Sequence, residues 1–111
     1  MIKPSRIIFV GEKSKKAFEG LGKSNKGEDK ELHVWLTHAF MALEENAFCG
    51  IQIPKRLIPR QYKKYDIENL WKYNLPNGWR LLYSVKGSDL IVLSIIIEWL
   101  SHKEYERRFK Y

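Results

Sequence analysis

An α+β fold is what this sequence predicts: a strand and two helices, then an antiparallel sheet and a short closing helix. Three observations carry the expectation. Helical spacing of apolar residues is clearest from Leu32 to Ala47. An alternating, aromatic-rich run from Asn69 to Val85 is folded about Pro76-Asn77-Gly78, and the apolar run Leu90 to Ile97 follows it. Helices segregated from strands in this way indicate α+β rather than α/β.

Arg6 to Val10 is short, β-branched and apolar, so it reads as a strand that Gly11 ends. Glu12 to Leu21 reads as a helix with Ala17, Phe18 and Leu21 turned inward, and Gly22 to Gly27 as a polar loop. Leu32, Trp35, Leu36, Ala39, Phe40, Leu43 and Ala47 then form one apolar stripe at helical spacing. Asn25 and Glu28 resemble a capping box at its start, and Gly50 is placed to stop it. His33 and His38 lie too awkwardly on this helix to share a metal and read as solvated or hydrogen-bonded. Cys49, the one cysteine, sits at an apolar helix end and is expected to be buried and inert.

Pro54 and Pro59 keep Ile51 to Tyr65 irregular. The hairpin that follows has a readable register. A three-residue loop at Pro76-Asn77-Gly78, as a type I turn followed by a left-handed glycine, sets Leu75 opposite Trp79 and Asn74 opposite Arg80. Strict alternation then gathers Trp71, Tyr73, Leu75, Trp79, Leu81, Tyr83 and Val85 on the core face. Lys72, Asn74, Arg80, Leu82 and Ser84 share the other. A one-residue slip would spoil this sorting. After a turn at Lys86 to Asp89, Leu90 to Ile97 reads as the most buried strand. Ser101 with Glu104 forms a second capping box, opening a helix from His102 to about Phe109. The expected order is β-α-α-β-β-β-α.

The 111 residues suit a single domain over positions 1–111, with 44% apolar and 30% charged residues as in ordinary globular proteins. Met1 to Val10 is too short and too interrupted for a secretory signal, and Leu90 to Leu100 is broken by Ser94 and Glu98, so no membrane span is expected. A single cysteine rules out an intramolecular disulfide and suits a reducing cytoplasm. The net charge of +7, from 20 Lys and Arg against 13 Asp and Glu, favours a polyanionic partner. Lys55, Arg56, Arg60, Lys63 and Lys64, with Tyr62 and Tyr65 among them, read as a phosphate-contacting loop or else as a solvated one.

The candidate chemistry lies on the polar face of the hairpin. Lys72 and Arg80 share it, with Asn74 between, and Leu82 is left partly uncovered for a partner or substrate. His102 starts the last helix and Tyr105 follows one turn on. This set suits metal-free RNA cleavage. A ribose 2′-OH must lose a proton, a departing 5′ oxygen must gain one, and fixed positive charge must meet the phosphate. His102 can act as acid or base. Arg80 can grip phosphate oxygens. Lys72 can act as a point charge or a base, and Tyr105 can orient a proton or stack on a base. No Gly-rich phosphate loop, Ser/His/Asp spacing or carboxylate cluster is present, so no cofactor and no metal are expected.

The run from Asn69 to Val85 resembles the core hairpin of the RelE/ParE toxin superfamily, in which a lysine-bearing strand leads into Gly-aromatic-Arg-hydrophobic-hydrophobic-Tyr, here Gly78 to Tyr83. Ser101-His102-Lys103-Glu104-Tyr105 resembles the histidine-containing ending of the HigB- and YafQ-like branches. The resemblance implies a ribosome-dependent mRNA endonuclease held inactive by a cognate antitoxin. It assigns the scissile phosphate to Arg80, catalysis or phosphate binding to Lys72, and the C-terminal catalytic histidine to His102, with Tyr105 at a nearby aromatic position. The sequence departs from the pattern at Asn74, where a second lysine can stand. Two other readings remain: a ParE-like gyrase inhibitor, and a non-catalytic module binding RNA or an acidic protein.

Overall fold

The computed structural model describes residues 2–110; as ends of the expected domain, positions 1 and 111 lie outside the described residues. The fold is α+β. Its elements are β1 (Arg6–Phe9), α1 (Glu12–Lys23), α2 (Gly27–Glu45), β2 (Ile51–Ile53), β3 (Leu70–Asn74), β4 (Arg80–Gly87), β5 (Val92–Leu100) and α3 (His102–Phe109). Two short 3₁₀ helices, Lys55–Leu57 and Arg60–Tyr65, follow β2. The sheet order is β1-β5-β4-β3-β2, with β1 parallel to β5 and the other pairs antiparallel.

The sheet carries a core on each face. On one, α1 and α2 pack Phe18, Leu36, Ala39, Phe40 and Leu43 against Leu81, Tyr83 and Ile96. On the other, α3 and the 3₁₀ segment bring Tyr62, Tyr105 and Phe109 onto Leu70, Leu82, Ile97 and Leu100. The second core corrects one expectation. Leu82 is fully buried rather than left open for a partner, because α3 lies back across the strand that carries it.

The hairpin follows the expected register: Asn74 pairs with Arg80, and the Leu75 amide donates to the Trp79 carbonyl at 2.9 Å. All seven residues assigned to the core face contribute to the core under α1 and α2. The turn differs in type. Asn77 has φ 57° and Gly78 φ 78°, so two successive residues are left-handed. The Trp79 amide donates to the Pro76 carbonyl at 3.3 Å, so Asn77 and Gly78 are the central residues of a type I′ turn, which requires a positive φ at both and favours asparagine followed by glycine.

Several boundaries move. The Asn25–Glu28 capping box does not form, because Lys26 is the residue before α2. The Ser24 hydroxyl takes the local role, accepting from the Lys26 amide at 3.1 Å and donating to Asp29 at 2.6 Å. Helix α2 stops at Glu45, before Gly50, where Asn46 turns the chain by accepting from the Lys3 and Phe48 amides, each at 3.1 Å. Ala17 is exposed, while Phe18 and Leu21 pack inward as expected. His33 stacks on Phe18 with centroids 4.6 Å apart, and His38 is exposed. Cys49 is exposed rather than buried, although partial burial of its thiol still raises its pKa.

The last strand also starts later than expected. Leu90, 93% exposed, and Ile91 belong to the turn, where the Ser88 hydroxyl accepts from both amides. A β-bulge between Leu82 and Tyr83 shifts the β4–β5 register: Tyr83 faces Ile96 and Leu82 faces Glu98. The extra residue reverses the facing of everything after Ile97. Trp99 therefore joins the core under α1 and α2, Leu100 the core under α3, and Glu98 turns toward α3.

The unexpected strand is β2. Ile51-Gln52-Ile53 pairs with Lys72-Trp71-Leu70 at the sheet edge. Gly50 permits it: a Cβ there would stand 2.5 Å from the Tyr83 hydroxyl and 2.6 Å from the Lys72 carbonyl oxygen. The buried Tyr83 hydroxyl donates to the Ala47 carbonyl at 2.9 Å and accepts from the Gly50 amide at 3.1 Å, so its polar end is satisfied.

Candidate functional site

Three of the sequence-predicted residues converge where α3 crosses β3 and β4. The Lys72 ammonium lies 5.2 Å from the centroid of the Tyr105 ring, and the Arg80 guanidinium carbon 5.4 Å from the same centroid. Tyr105 is 2% exposed and stacks on Phe109, with centroids 4.5 Å apart. Its ring is therefore a buried platform for two cations and is not open to stack on an RNA base, one of the roles expected of it. Each cation–π contact is worth roughly 0.5–2 kcal/mol, enough to hold a flexible side chain in place. Two like charges above one ring repel each other, and an anion set against both relieves that repulsion.

Arg80 adds a second feature. Its Nη1 donates to the Trp79 carbonyl at 3.3 Å, but its Nε is buried and has no hydrogen-bond partner, the one such side-chain atom among the described residues. A buried donor left unmade costs about 1–3 kcal/mol, more when charged, so the guanidinium is held here at a cost to stability.

His102 stands at the rim. Helix α3 begins there because Ser101 caps it: the Ser101 hydroxyl accepts from the Glu104 amide at 3.3 Å, and the Glu104 carboxylate accepts from the Ser101 amide at 2.8 Å. That bond holds the Glu104 carboxyl below its ordinary pKa. His102 has a side chain 58% exposed and rests on the hairpin loop; a Cβ on Gly78 would come 2.8 Å from its own. Its Nε2 lies 3.1 Å from Glu106 one turn on, which orients the ring. Asn74 is exposed across the hairpin from Arg80.

The basic stretch is only partly as expected. Lys55, Arg56, Arg60, Lys63 and Lys64 are all exposed, but Tyr62 among them is not free to contact RNA bases. Tyr62 is buried in the second core, and Tyr65 is half-buried beneath the Lys64 ammonium, 5.2 Å from its ring. Among the described residues, no group of three or more His, Cys, Asp or Glu is disposed to hold a metal, and no helix is long and apolar enough to cross a membrane.

No family model, curated protein or solved structure matches this chain.

Sequence reasoning missed a clamp that holds α3 in place. Glu98 accepts a hydrogen bond from the Tyr62 hydroxyl and one from Arg108 Nη1 at 2.6 Å, and Arg108 also donates to the Tyr62 oxygen at 3.2 Å. The three groups tie β5, α3 and the Arg60–Tyr65 turn together. Burial, with the neighbouring Glu98 carboxylate, pushes the Tyr62 phenol well above its usual pKa. Burial works against the Arg108 charge, but Glu98 and Tyr62 outweigh it and its pKa rises. The signal was a lone carboxylate in an apolar strand, which must find a partner once the strand is buried.

Proposed function

We propose that this chain is the toxin of a type II toxin–antitoxin pair, a RelE-type endoribonuclease that cuts mRNA on the ribosome without a metal. The observation that carries the reading is the Arg80 site: a guanidinium with a buried, unpartnered Nε, sharing the Tyr105 ring with the Lys72 ammonium. A scissile phosphate set against both cations would relieve the repulsion between the charges. It would also gain most where negative charge builds up at phosphorus.

In the proposed step a ribose 2′-oxygen attacks the adjacent phosphorus and the bond from phosphorus to the 5′ oxygen breaks. A 2′,3′-cyclic phosphate and a 5′-hydroxyl result. His102, oriented by Glu106 at the rim, exchanges one of the two protons, and Lys72 is the nearby candidate for the other. Tyr105 acts by holding both cations. Asn74 and the exposed Lys55, Arg56, Arg60, Lys63 and Lys64 would meet flanking phosphates, each adding to salt-dependent affinity. A cytoplasmic setting and an antitoxin that covers this basic face complete the proposal.

Brief induction of the wild-type chain, with mapping of mRNA 5′ ends and His102→Ala and Arg80→Ala in parallel, tests it. New cuts within translated frames that vanish in both variants are expected. If no cuts appear while the wild type is folded, the reading fails. Growth arrest with DNA damage would then favour gyrase inhibition, and RNA retention without cutting a binding module.

A further inference from the structure

A cavity lies away from the Arg80 site. Strand β1 stops pairing at Ile96, where the Val10 amide donates to the Ile96 carbonyl at 2.8 Å, but β5 runs on. Beyond that point Ile97 to Trp99 border a pocket of about 680 Å³, closed on one side by the first turn of α1 and on the other by the Arg60–Tyr65 turn and Arg108. That volume lies within the roughly 300–1,000 Å³ of small-molecule sites. Arg108 is six residues along α3 from His102, about 9 Å at the helical rise, so the pocket sits toward the opposite end of that helix.

Its lining is of three kinds. Tyr65 and Trp99 supply ring surface, with Val10 and Ile97 as apolar floor. The one carboxylate, Glu98, is already neutralised by Arg108. The remaining charges are two ammonium groups, Lys13 and Lys64. The start of α1 reinforces them. Gly11 offers no side-chain cap, and the Ser14 hydroxyl donates to the Gly11 carbonyl at 2.9 Å instead of accepting from the helix amides. The first-turn N–H groups therefore keep their partial positive charge beside the lysines.

We propose that this pocket binds a nucleoside monophosphate unit, with its base against Tyr65 and Trp99 and its phosphate between Lys13, Lys64 and the first turn of α1. A phosphate monoester carries about −1.5 to −2 charge at pH 7, which two lysines balance. Base–aromatic contacts of roughly 1–3 kcal/mol per base would add to that attraction. The proposal shares Lys64 with the basic stretch of the nuclease reading but does not rest on the Arg80 site.

The unit can be a free mononucleotide or part of an RNA strand, and titration calorimetry on the full chain separates the two. The probes are AMP, inorganic phosphate, and a short oligoadenylate without terminal phosphates. The proteins are wild type, Lys13→Ala/Lys64→Ala and Arg80→Ala. Both lysines are exposed, so their loss leaves the fold intact. Saturable AMP binding is expected, weakened about tenfold or more in the lysine pair and about twofold or less in Arg80→Ala. The same tenfold loss with the oligoadenylate assigns the site to a strand; loss with AMP alone assigns it to free nucleotide. The proposal is overturned if neither AMP nor the oligoadenylate responds to loss of the lysines. It is equally overturned if phosphate alone binds as tightly as AMP, or if Arg80→Ala costs as much as the lysine pair.

Discussion

Replacing Gly50 by alanine should cost this fold far more than one methyl group suggests. The added carbon would stand 2.6 Å from the Lys72 carbonyl oxygen, which is backbone, and 2.5 Å from the hydroxyl of the fully buried Tyr83. Neither can give way cheaply, so the start of β2 must move. The Gly50 amide then loses its 3.1 Å bond to Tyr83, a net loss of about 1 kcal/mol, and the strained hydroxyl adds about 1–3 kcal/mol if its bond to Ala47 suffers as well. The two hydrogen-bond terms together come to about 2–4 kcal/mol, and any release of Ile53, buried in the second core, would come on top of them. For a chain of this length each kcal/mol corresponds to about 4 °C in Tm, giving a fall of about 8–16 °C. Thermal and urea unfolding of Gly50→Ala measure it directly. A Tm within about 2 °C of wild type would refute the close approach of β2 to β3 and with it the edge strand itself.

Gly78→Ala places a residue at φ 78° and a carbon 2.8 Å from His102 Cβ; a loss of about 1–2 kcal/mol is expected, and under the proposed function a drop in RNA cleavage larger than in a stability-matched variant elsewhere. In the clamp, Tyr62→Phe should cost about 1–2 kcal/mol and Glu98→Gln about 2 kcal/mol, because Glu98 and Arg108 are 27% and 28% exposed and a fully buried pair would cost more. Their double variant should be less destabilised than the sum, and a urea-melt double-mutant cycle with no coupling would deny the shared network. Ser101→Ala should cost about 1 kcal/mol at neutral pH. Since the Glu104 carboxyl is lowered in the folded state, its contribution is present above the ordinary carboxylate range and is lost as pH falls through the folded value. Melting curves from neutral to acidic pH should therefore show the gap between wild type and Glu104→Gln closing toward the acid end, while Ser101→Ala, which keeps the backbone amide that Glu104 accepts from, follows the wild-type pH dependence.

What could be read from the sequence was local. The hairpin register followed from a three-residue loop and alternation, and it was enough to bring Lys72 and Arg80 to one face. The α3 cap followed from Ser101 and Glu104. What could not be read depended on partners distant in sequence. The bulge at Leu82 has no mark in the residues around it, yet it decides that Glu98 and Leu100 face α3 and that Trp99 does not. Strand β2 is three residues long and exists because Gly50 lets it approach β3. The burial of Tyr62 and Tyr105, which turns two expected RNA-contacting rings into packing, follows from helix and turn folding back over a face that alternation alone marks as polar.

The pairing of β1 with β5 sets the order of assembly. Arg6 and Leu93 are neighbours in the sheet but lie at nearly opposite ends of the chain. The loop that their pairing closes is among the longest this chain can make, and its entropic cost is met only when the distant contact forms. During synthesis β1 emerges first and has no partner until β5 has been made. The contacts from β2 through β5 and the docking of α3 are by contrast close in sequence and can form as a unit. The nascent chain therefore carries Ile7 to Phe9 without a sheet partner until β5 has been made, and closing that edge is the slow step expected in refolding. A stopped-flow trace in which a probe near β1 lags behind one on the β3–β4 hairpin would be its signature.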